Sequence, residues 1–255
     1  MPADKTGKQA QGVNSVDHAL RLITHLAERA SVHGATMAEL SEGLGLPRPT
    51  LYRLLATLQA HDLVVRVNKR YRLTLRLAAL AQAAFSSSGI QTLCQPYLNE
   101  LARQTGETTH FAILDGDRAG YIAKVDGAHA IRMTSHVGWR GPLHATAAGK
   151  ILLAWSSEEL RNAFLQGPLE RFTACTLTEP EKLRAQIDLI KRQGYALDDQ
   201  ELLEGLVCVA APVVADGWLV GAVSISGPTI RRQALLDAMP LVRTAADAIA
   251  AQLET

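Results

Sequence analysis

Apolar residues recur at helical spacing near the start of the chain. Val16, Leu20, Ile23 and Ala27 lie three or four positions apart, and Ser15 precedes them as a candidate N-cap. This spacing predicts a first helix over residues 15–28.

Two further helices are predicted on either side of a short turn. Thr36 and Glu39 fit a capping box, and Gly43 and Gly45 are expected to stop the short helix that it opens. Pro47 then precedes a third helix, because proline suits a first helical turn. The apolar positions on one face of this third helix are Leu51, Leu54, Leu55 and Leu58.

A tight hairpin follows the third helix. Residues 63–67 and 70–75 have β-type composition, and Asn68-Lys69 joins them. The order helix, short helix, turn, helix and hairpin predicts a winged helix-turn-helix domain over residues 13–74. We expect a disordered tail at 1–12 and a linker helix with a hinge at 75–89, where Ser86-Ser87-Ser88-Gly89 marks a boundary.

The remaining residues, 90–255, alternate helices with strands and predict an α+β domain on a mainly antiparallel sheet. One helix is expected to open at a second capping box, Thr178 to Glu181, and Pro240 is expected to kink or interrupt a C-terminal helix. The other predicted helices span 90–105, 147–155 and 158–164. The predicted strands span 109–114, 120–125, 131–135, 195–198, 207–214 and 218–226.

Charge separates the two parts of the chain. The net charge is +1, but residues 1–85 carry +5 and the remainder carries −4. A basic first third suggests that this part meets a polyanion. No apolar run approaches the roughly 20 residues of a membrane helix. Cys94, Cys175 and Cys208 are too far apart for a metal cluster, so we expect a cytoplasmic protein without metal or cofactor.

The third helix and the hairpin carry candidate DNA-binding residues. Arginine can pair with guanine in the major groove, and threonine can contact phosphate or a thymine methyl group. Basic residues on a wing suit phosphate or minor-groove contact. The candidates are Thr36, Arg48, Thr50, Tyr52, Arg53, Arg66, Lys69 and Arg70. Solvated charges on a small helical domain are the alternative interpretation of this set.

The second domain contains a candidate small-molecule site. Ser224 and Ser226 alternate on one predicted strand, so both hydroxyls point to one face, which Cys208 could share from a neighbouring strand. Solvent-facing serines are the competing interpretation. The loop from Gly138 to Lys150 runs into a helix and could offer N–H groups to an anion, or could be a tight packing loop.

A hydrolase is the obvious enzymatic alternative. His110, His136 and His144 could each serve a serine nucleophile, but the chain lacks the Gly-x-Ser-x-Gly elbow. A serine in the middle of a strand is also poorly exposed for attack. No catalytic residue is therefore predicted.

The chain resembles the IclR family of transcriptional regulators over essentially its whole length after the tail. In the first domain the match rests on residues 15–22 and on Gly45-Leu46-Pro47-Arg48-Pro49-Thr50-Leu51-Tyr52-Arg53-Leu54-Leu55. In the second it rests on residues 105–108, 142–150, 194–196, 208–212 and 224–228. Each segment alone is a weak signal, but all of them in this order are specific.

The resemblance implies an N-terminal winged helix domain and a C-terminal GAF-like effector-binding domain. It also implies homodimers or homotetramers that bind double-stranded operator DNA, controlled by an organic or aromatic acid. Carried over by motif, the effector site would contain Ala147, Ala148, Asp198 or Asp199, Cys208, Ser224 and Ser226. Two residues depart from the family pattern: Pro49 replaces a small polar residue, and the bulky Trp139 could narrow or cap the pocket.

Two other functions compete with ligand-controlled DNA binding. The winged helix could mediate protein contacts in a sensor or an enzyme, or the chain could be an architectural DNA-binding protein with an inactive effector domain. The basic first third argues against the former, and the cluster of Ser224, Ser226 and Cys208 argues against the latter.

Overall fold

The computed structural model describes residues 13–28, 34–77, 80, 89–129 and 135–254. Contacts between Cα atoms divide the chain into two compact units, with the division between residues 87 and 88. The predicted tail at 1–12, most of the linker and most of the strand predicted at 131–135 lie outside the described residues. Each unit is described separately below.

In the first unit, Arg76, Leu77 and Leu80 of the predicted linker are helical. The rest of its described residues form a winged helix-turn-helix. Its helices are α1 (Asn14–Glu28), α2 (Met37–Leu44) and α3 (Arg48–Ala60). Its strands are β1 (Ala35–Thr36), β2 (Val64–Val67) and β3 (Arg70–Leu73), in the order β1-β3-β2. Antiparallel pairing of β2 with β3 forms the wing.

Leucines at helical spacing form the core of the first unit. Leu51, Leu55 and Leu58 are buried as predicted for α3. The helix predicted over residues 15–28 is present as α1, and its buried residues are Leu22 and Leu26. Of the residues that predicted this helix, Ile23 packs against the core, whereas Val16 and Leu20 leave more than half of their surface exposed.

The turn between α2 and α3 follows the predicted chemistry with one correction. Gly43 does not stop α2: the helix continues to Leu44, and Gly45 ends it with φ of 65°. Gly43 is instead a point of close approach, because a Cβ there would lie 2.4 Å from the imidazole of His25 on α1. Glycine at this position therefore permits contact between two helices.

The second unit is built on a six-stranded antiparallel sheet in the order β6-β5-β4-β9-β8-β7. The central strands are long and buried, which follows from their runs of valine, alanine and isoleucine. The strands are β4 (Thr108–Asp115), β5 (Arg118–Val125), β6 (Arg140–Pro142), β7 (Ala196–Asp199), β8 (Leu206–Ala215) and β9 (Trp218–Pro228).

Helices cover both faces of this sheet. The helices are α4 (Ile90–Thr105), α5 (Ala147–Trp155), α6 (Glu158–Gln166), α7 (Pro180–Gln193), α8 (Arg232–Asp237) and α9 (Met239–Ala251). The long helices α4 and α9 pack together against the central strands. A core cluster on α5, α6 and α7 packs against alanines of β4, β8 and β9, including Ala112, Ala210 and Ala222. The architecture confirms the predicted α+β class and is consistent with a GAF-like domain.

Three local features of the second unit test the sequence predictions. Thr178 does not cap α7: the N-cap is Glu179, and the Thr178 hydroxyl accepts a hydrogen bond from Arg171 instead. The prediction that Pro240 kinks or interrupts the C-terminal helix is confirmed as an interruption: α8 ends at Asp237, and Pro240 lies in the first turn of α9. Strand β6 was not predicted, since three residues ending in proline give no alternation; proline is tolerated there because β6 is an edge strand.

Candidate functional site

The exposed side of α3 carries the predicted recognition residues. Arg48, Tyr52 and Arg53 are exposed, and Thr50 is half-buried. Tyr52 leaves 54% of its surface exposed, unusual for a tyrosine that serves only the core. Helix α3 therefore offers two guanidinium groups and a phenol to the outside while its leucines hold it to the domain.

The wing adds further positive charge through a two-residue turn. Asn68 and Lys69 both have positive φ, 50° and 64°, which a tight hairpin of this kind requires. Arg66 is exposed, and its guanidinium lies 5.6 Å from the ring centroid of Tyr71. Arg72 on the same hairpin is also exposed, although it was absent from the predicted set.

Thr36 and Arg70 belong to an internal network around one carboxylate. The Thr36 hydroxyl accepts from the Glu39 N–H at 3.3 Å, and the Glu39 carboxylate accepts from the Thr36 N–H at 2.6 Å. Arg70 donates to the same carboxylate at 3.2 Å and to the Gly34 carbonyl at 2.7 Å. These hydrogen bonds from Thr36, then the charge of Arg70, lower the pKa of Glu39. Both side chains thus join the wing to the start of α2.

On the second unit, strand register assembles a row of polar residues. Asp198 lies opposite Cys208, Cys208 lies opposite Ser226, and Ser226 lies opposite Thr108. Residues that lie directly opposite one another share a face of the sheet. The prediction that Cys208 shares the face of Ser226 is confirmed.

The serines of this row are buried. Ser224 and Ser226 retain only 3% and 2% of their exposure, so the alternative of solvent-facing hydroxyls is wrong. The register also separates the two candidate aspartates. Asp198 is fully buried in the row, whereas Asp199 pairs with Arg232 at 2.8 Å.

Two aromatic residues that the sequence prediction missed complete the row. His110 lies opposite Ser224 on β4, and its Nδ1 lies 3.4 Å from the Ser226 hydroxyl. Its Nε2 lies 2.6 Å from the hydroxyl of Ser135. The Tyr121 ring meets the His110 ring edge to face, with centroids 5.3 Å apart. Alternation along β4 and β5 is the signal that could have placed both rings on this face.

Burial keeps these groups uncharged. It lowers the pKa of His110 to about 3, with a further contribution from the charge of Lys124. It raises the pKa of the Cys208 thiol and of the Tyr121 phenol well above their ordinary values. At neutral pH the row therefore offers neutral donors and acceptors, and Cys208 is not a thiolate nucleophile.

A buried lysine and two carboxylates adjoin Asp198. Lys150 is completely buried, and its ammonium donates to Glu201 Oε1 at 2.5 Å and to the Leu197 carbonyl. Asp198 Oδ1 accepts from the Glu201 N–H at 2.8 Å. Burial, opposed by Lys150, raises the pKa of Asp198 to about 7 and also raises that of Glu201. Asp198 Oδ2 and Glu201 Oε2 have no hydrogen-bond partner among the described residues.

The start of α5 packs in the same core as Cys208. Ala147 and Ala148 are buried in the first turn, and the Thr146 hydroxyl caps the helix by accepting from the Gly149 N–H at 3.0 Å. The first N–H groups of a helix have no partner within it, so this turn can donate to an anion. Trp139 packs on Tyr121 with ring centroids 4.9 Å apart, at one border of this region.

Neither a metal-ligand cluster nor a membrane-spanning helix is found in the part of the chain that the structure describes. Residues 13–28, 34–77, 80, 89–129 and 135–254 contain no group of three or more His, Cys, Asp or Glu residues placed to hold a metal ion. No helix within those same ranges is both long enough and apolar enough to cross a membrane.

Comparison with known proteins assigns both units to one family. The IclR helix-turn-helix model matches residues 15–68, and the model described as bacterial transcriptional regulator IclR C-terminal matches residues 82–251. The transcriptional regulator XynR of Escherichia coli is 38% identical over 223 residues, which cover 86% of this chain and 88% of XynR. The transcriptional regulator KdgR of Escherichia coli is 35% identical over 252 residues, covering 96% and 95% of the two chains.

Structural comparison agrees with the sequence comparison. The crystal structure of the Thermotoga maritima IclR superposes with a TM-score of 0.80 at 26% identity, covering 95% of this chain and 99% of that one. The family models together match well over half of the chain. The chain belongs to the IclR family: it is a DNA-binding transcriptional regulator with an effector-binding C-terminal domain, and it is not an enzyme.

Proposed function

We propose that α3 and the wing bind operator DNA, and that the buried polar row together with the first turn of α5 binds an organic or aromatic acid that controls this binding. The observation that carries the effector site is the continuous row of Asp198, Cys208 and Ser226. Buried polar atoms rarely lack partners, and Asp198 Oδ2 in this row has none among the described residues, so the row beside a helix N-terminus suits a small polar ligand.

The DNA contacts divide by position. Arg48, Thr50, Tyr52 and Arg53 on α3 would enter the major groove, and Arg66 and Lys69 on the wing would contact the backbone or the minor groove. Because Thr36 and Arg70 are joined to Glu39, we assign them mainly to holding the wing in place. Arg72 is the additional exposed cation that this arrangement offers to phosphate.

The first experiment is a DNA-binding measurement. The protein selects duplexes from a random pool, and fluorescence anisotropy then compares wild type with Arg48→Ala and Arg53→Ala. Both variants should lose affinity, whereas Lys182→Ala, which removes an exposed charge from the second unit, should not. About six phosphate contacts per dimer predict a log–log salt slope of roughly −5. Unchanged affinity in both arginine variants, with a flat salt response, would overturn the DNA interface.

The chemistry of the effector follows from the charges around the row. A ligand carboxylate can accept from the N–H groups of Ala147 and Ala148. The ligand carboxylate would not face two uncompensated negative charges from Glu201 and Asp198. Lys150 pairs with Glu201, and the raised pKa of Asp198 leaves that group partly protonated. Ser224 and Ser226 can then bind further oxygens of the same ligand. These features support an acid as the effector.

The second experiment is a thermal-shift screen with small carboxylates and aromatic acids. A ligand at about 100 times its Kd adds roughly 2.7 kcal/mol of stability, which is a shift of several degrees. The shift should disappear in a Ser224→Ala/Ser226→Ala variant and persist in Thr244→Ala, a threonine exposed on α9. A shift that survives in the double-serine variant would place the ligand elsewhere.

We also infer that the protein forms homodimers, which can pair into homotetramers. An exposed apolar stripe at the start of α1 supports self-association: Val13, which precedes the helix, and Val16 and Leu20 within it leave 65%, 55% and 59% of their surfaces exposed. Analytical ultracentrifugation of Leu20→Glu should show dissociation, with Thr24→Glu as the control on the same helix. Equal oligomeric states would contradict this interface.

A further inference from the structure

A cavity in the second unit lies outside the proposed effector site. Its volume is about 860 Å³, and it is bounded by the turn between β4 and β5, the end of β6, helix α6 and residues 167–170. None of the six proposed effector residues lines it. Its volume falls within the range of pockets that bind small molecules.

The wall of this cavity is mostly apolar. Leu143, Leu160, Ala163 and Phe164 contribute aliphatic and aromatic surface. His144 adds an imidazole ring that is 4% exposed and lies 6.1 Å from the Phe164 ring, centroid to centroid. These side chains suit the apolar body of a ligand.

Two charged side chains of opposite sign line the same cavity. Arg118 is half-buried and Glu170 is exposed, and neither side chain has a hydrogen bond or an ion pair within the described part of the chain. Asp117 also lines the cavity, but its carboxylate already faces the Arg140 guanidinium at 4.0 Å. Arg118 and Glu170 are thus the charges available to a ligand.

Both of these charges affect the pKa of His144. Burial lowers its pKa most, Arg118 lowers it further, and Glu170 acts in the opposite direction. The imidazole is therefore neutral near pH 7. Its Nε2 bonds to the Glu170 carbonyl at 2.8 Å, while its Nδ1 is buried and has no partner among the described residues.

We propose that this cavity is a second small-molecule site, which binds a zwitterion with an apolar body, the chemistry of a free amino acid with a large apolar side chain. The ligand carboxylate pairs with Arg118, and its ammonium group pairs with Glu170. A simple carboxylate would satisfy Arg118 but leave Glu170 as a nearby like charge, and a simple amine would have the converse problem.

A short segment of the chain joins this cavity to the proposed effector site. Leu143 and His144 line the cavity, and α5 begins three residues later at Ala147. The Gly149 N–H bonds to Thr146 in the same segment, so the loop and the helix start are held together. A ligand that moves Leu143 would therefore act on the first turn of α5.

Isothermal titration calorimetry of the full-length protein tests the proposal with L-phenylalanine, 3-phenylpropanoate and 2-phenylethylamine. We expect one L-phenylalanine per chain, bound up to about fivefold more tightly than either singly charged analogue, since each partly exposed ion pair contributes up to roughly fivefold. Arg118→Met and Glu170→Gln should each weaken L-phenylalanine binding by up to about fivefold. They should have no such effect on the analogue that lacks the matching charge.

Matched variants locate the site. Ala163→Trp should fill the cavity and abolish binding, and it should still fold because Ala163 is exposed on α6. Gln166→Trp, exposed on the same helix outside the lining, should bind as wild type does. Ser224→Ala/Ser226→Ala should also bind normally, which separates this site from the effector site. Absence of saturable L-phenylalanine binding, equal affinity for all three compounds, or binding that survives Ala163→Trp overturns the proposal.

Discussion

Replacing the buried lysine of the second unit with methionine is the sharpest test of the electrostatics described above. Lys150 is completely buried, and its ammonium is held by Glu201 and by the Leu197 carbonyl. Lys150→Met keeps an unbranched apolar stem of similar reach, so packing changes little. What the substitution removes is the cation beside two buried carboxyl groups.

The expected cost follows from leaving buried acids without their counter-charge. Removing one partner of a buried ion pair destabilises a protein by about 3–5 kcal/mol. Asp198 and Glu201 can relieve part of this cost by binding protons, since Lys150 is what opposes the effect of burial on their pKa values. The destabilisation should therefore be largest at pH 8 and shrink as the pH falls through the raised pKa values of both acids.

Urea unfolding followed by tryptophan fluorescence measures this cost in the right part of the molecule. All three tryptophans, at positions 139, 155 and 218, belong to the second unit. The Lys150→Met/Glu201→Gln double variant should be more stable than the sum of the single costs allows, by at least about 1 kcal/mol of coupling. A cost below about 1 kcal/mol in Lys150→Met, the same at every pH, would refute the reasoning.

Three further outcomes are expected. Because the pKa of Asp198 is about 7 when folded and 3.8 in the unfolded reference, the unfolded chain loses this proton first, so this group's contribution to stability declines as the pH rises from about 4 to about 7. Asp198→Asn should flatten that part of the wild-type pH profile of unfolding, and an unchanged slope would contradict it. Gly149→Ala should destabilise by about 1–3 kcal/mol in thermal unfolding despite alanine's helix propensity, because a Cβ would lie 2.7 Å from the Pro142 carbonyl oxygen; equal or higher Tm would refute this. The His110 ring should stay neutral at pH 5 by NMR, and titration near 6.5 would show that it is not buried.

Periodicity predicted the elements well where one face alone is buried. The spacing of Leu51, Leu55 and Leu58 placed α3 correctly because each of those positions faces the core. The same spacing predicted α1, but it includes Val16 and Leu20, which are apolar and yet exposed, and leaves out Leu22 and Leu26, which are buried. A spacing pattern alone does not distinguish an apolar face that packs in the domain core from an apolar face that stays exposed on the domain.

Sequence reasoning identified residues of the candidate site only where they lie within the motif segments. Ser224, Ser226 and Cys208 were found through alternation and resemblance. His110 and Tyr121 were missed because they join the row through pairing across strands, with more than 100 residues between His110 and Ser226. Lys150 ends the predicted loop motif, but its burial with Glu201 depends on how α5 packs near β7. Such long-range pairings are set by the whole fold rather than by local sequence.

The pleat of β4 gives the polar row a mechanical connection to the opposite side of the sheet. His110 faces the row, while its neighbour Thr109 donates a hydrogen bond at 3.1 Å to the Leu98 carbonyl of α4. One peptide unit therefore separates a side chain beside the proposed effector from a bond to the helix on the other face. A displacement of β4 by a fraction of an ångström would therefore be transmitted directly to α4. Helix α4 begins at Ile90, where the linker ends. The sheet would then transmit a ligand-induced displacement rigidly to the chain that leads to the DNA-binding unit.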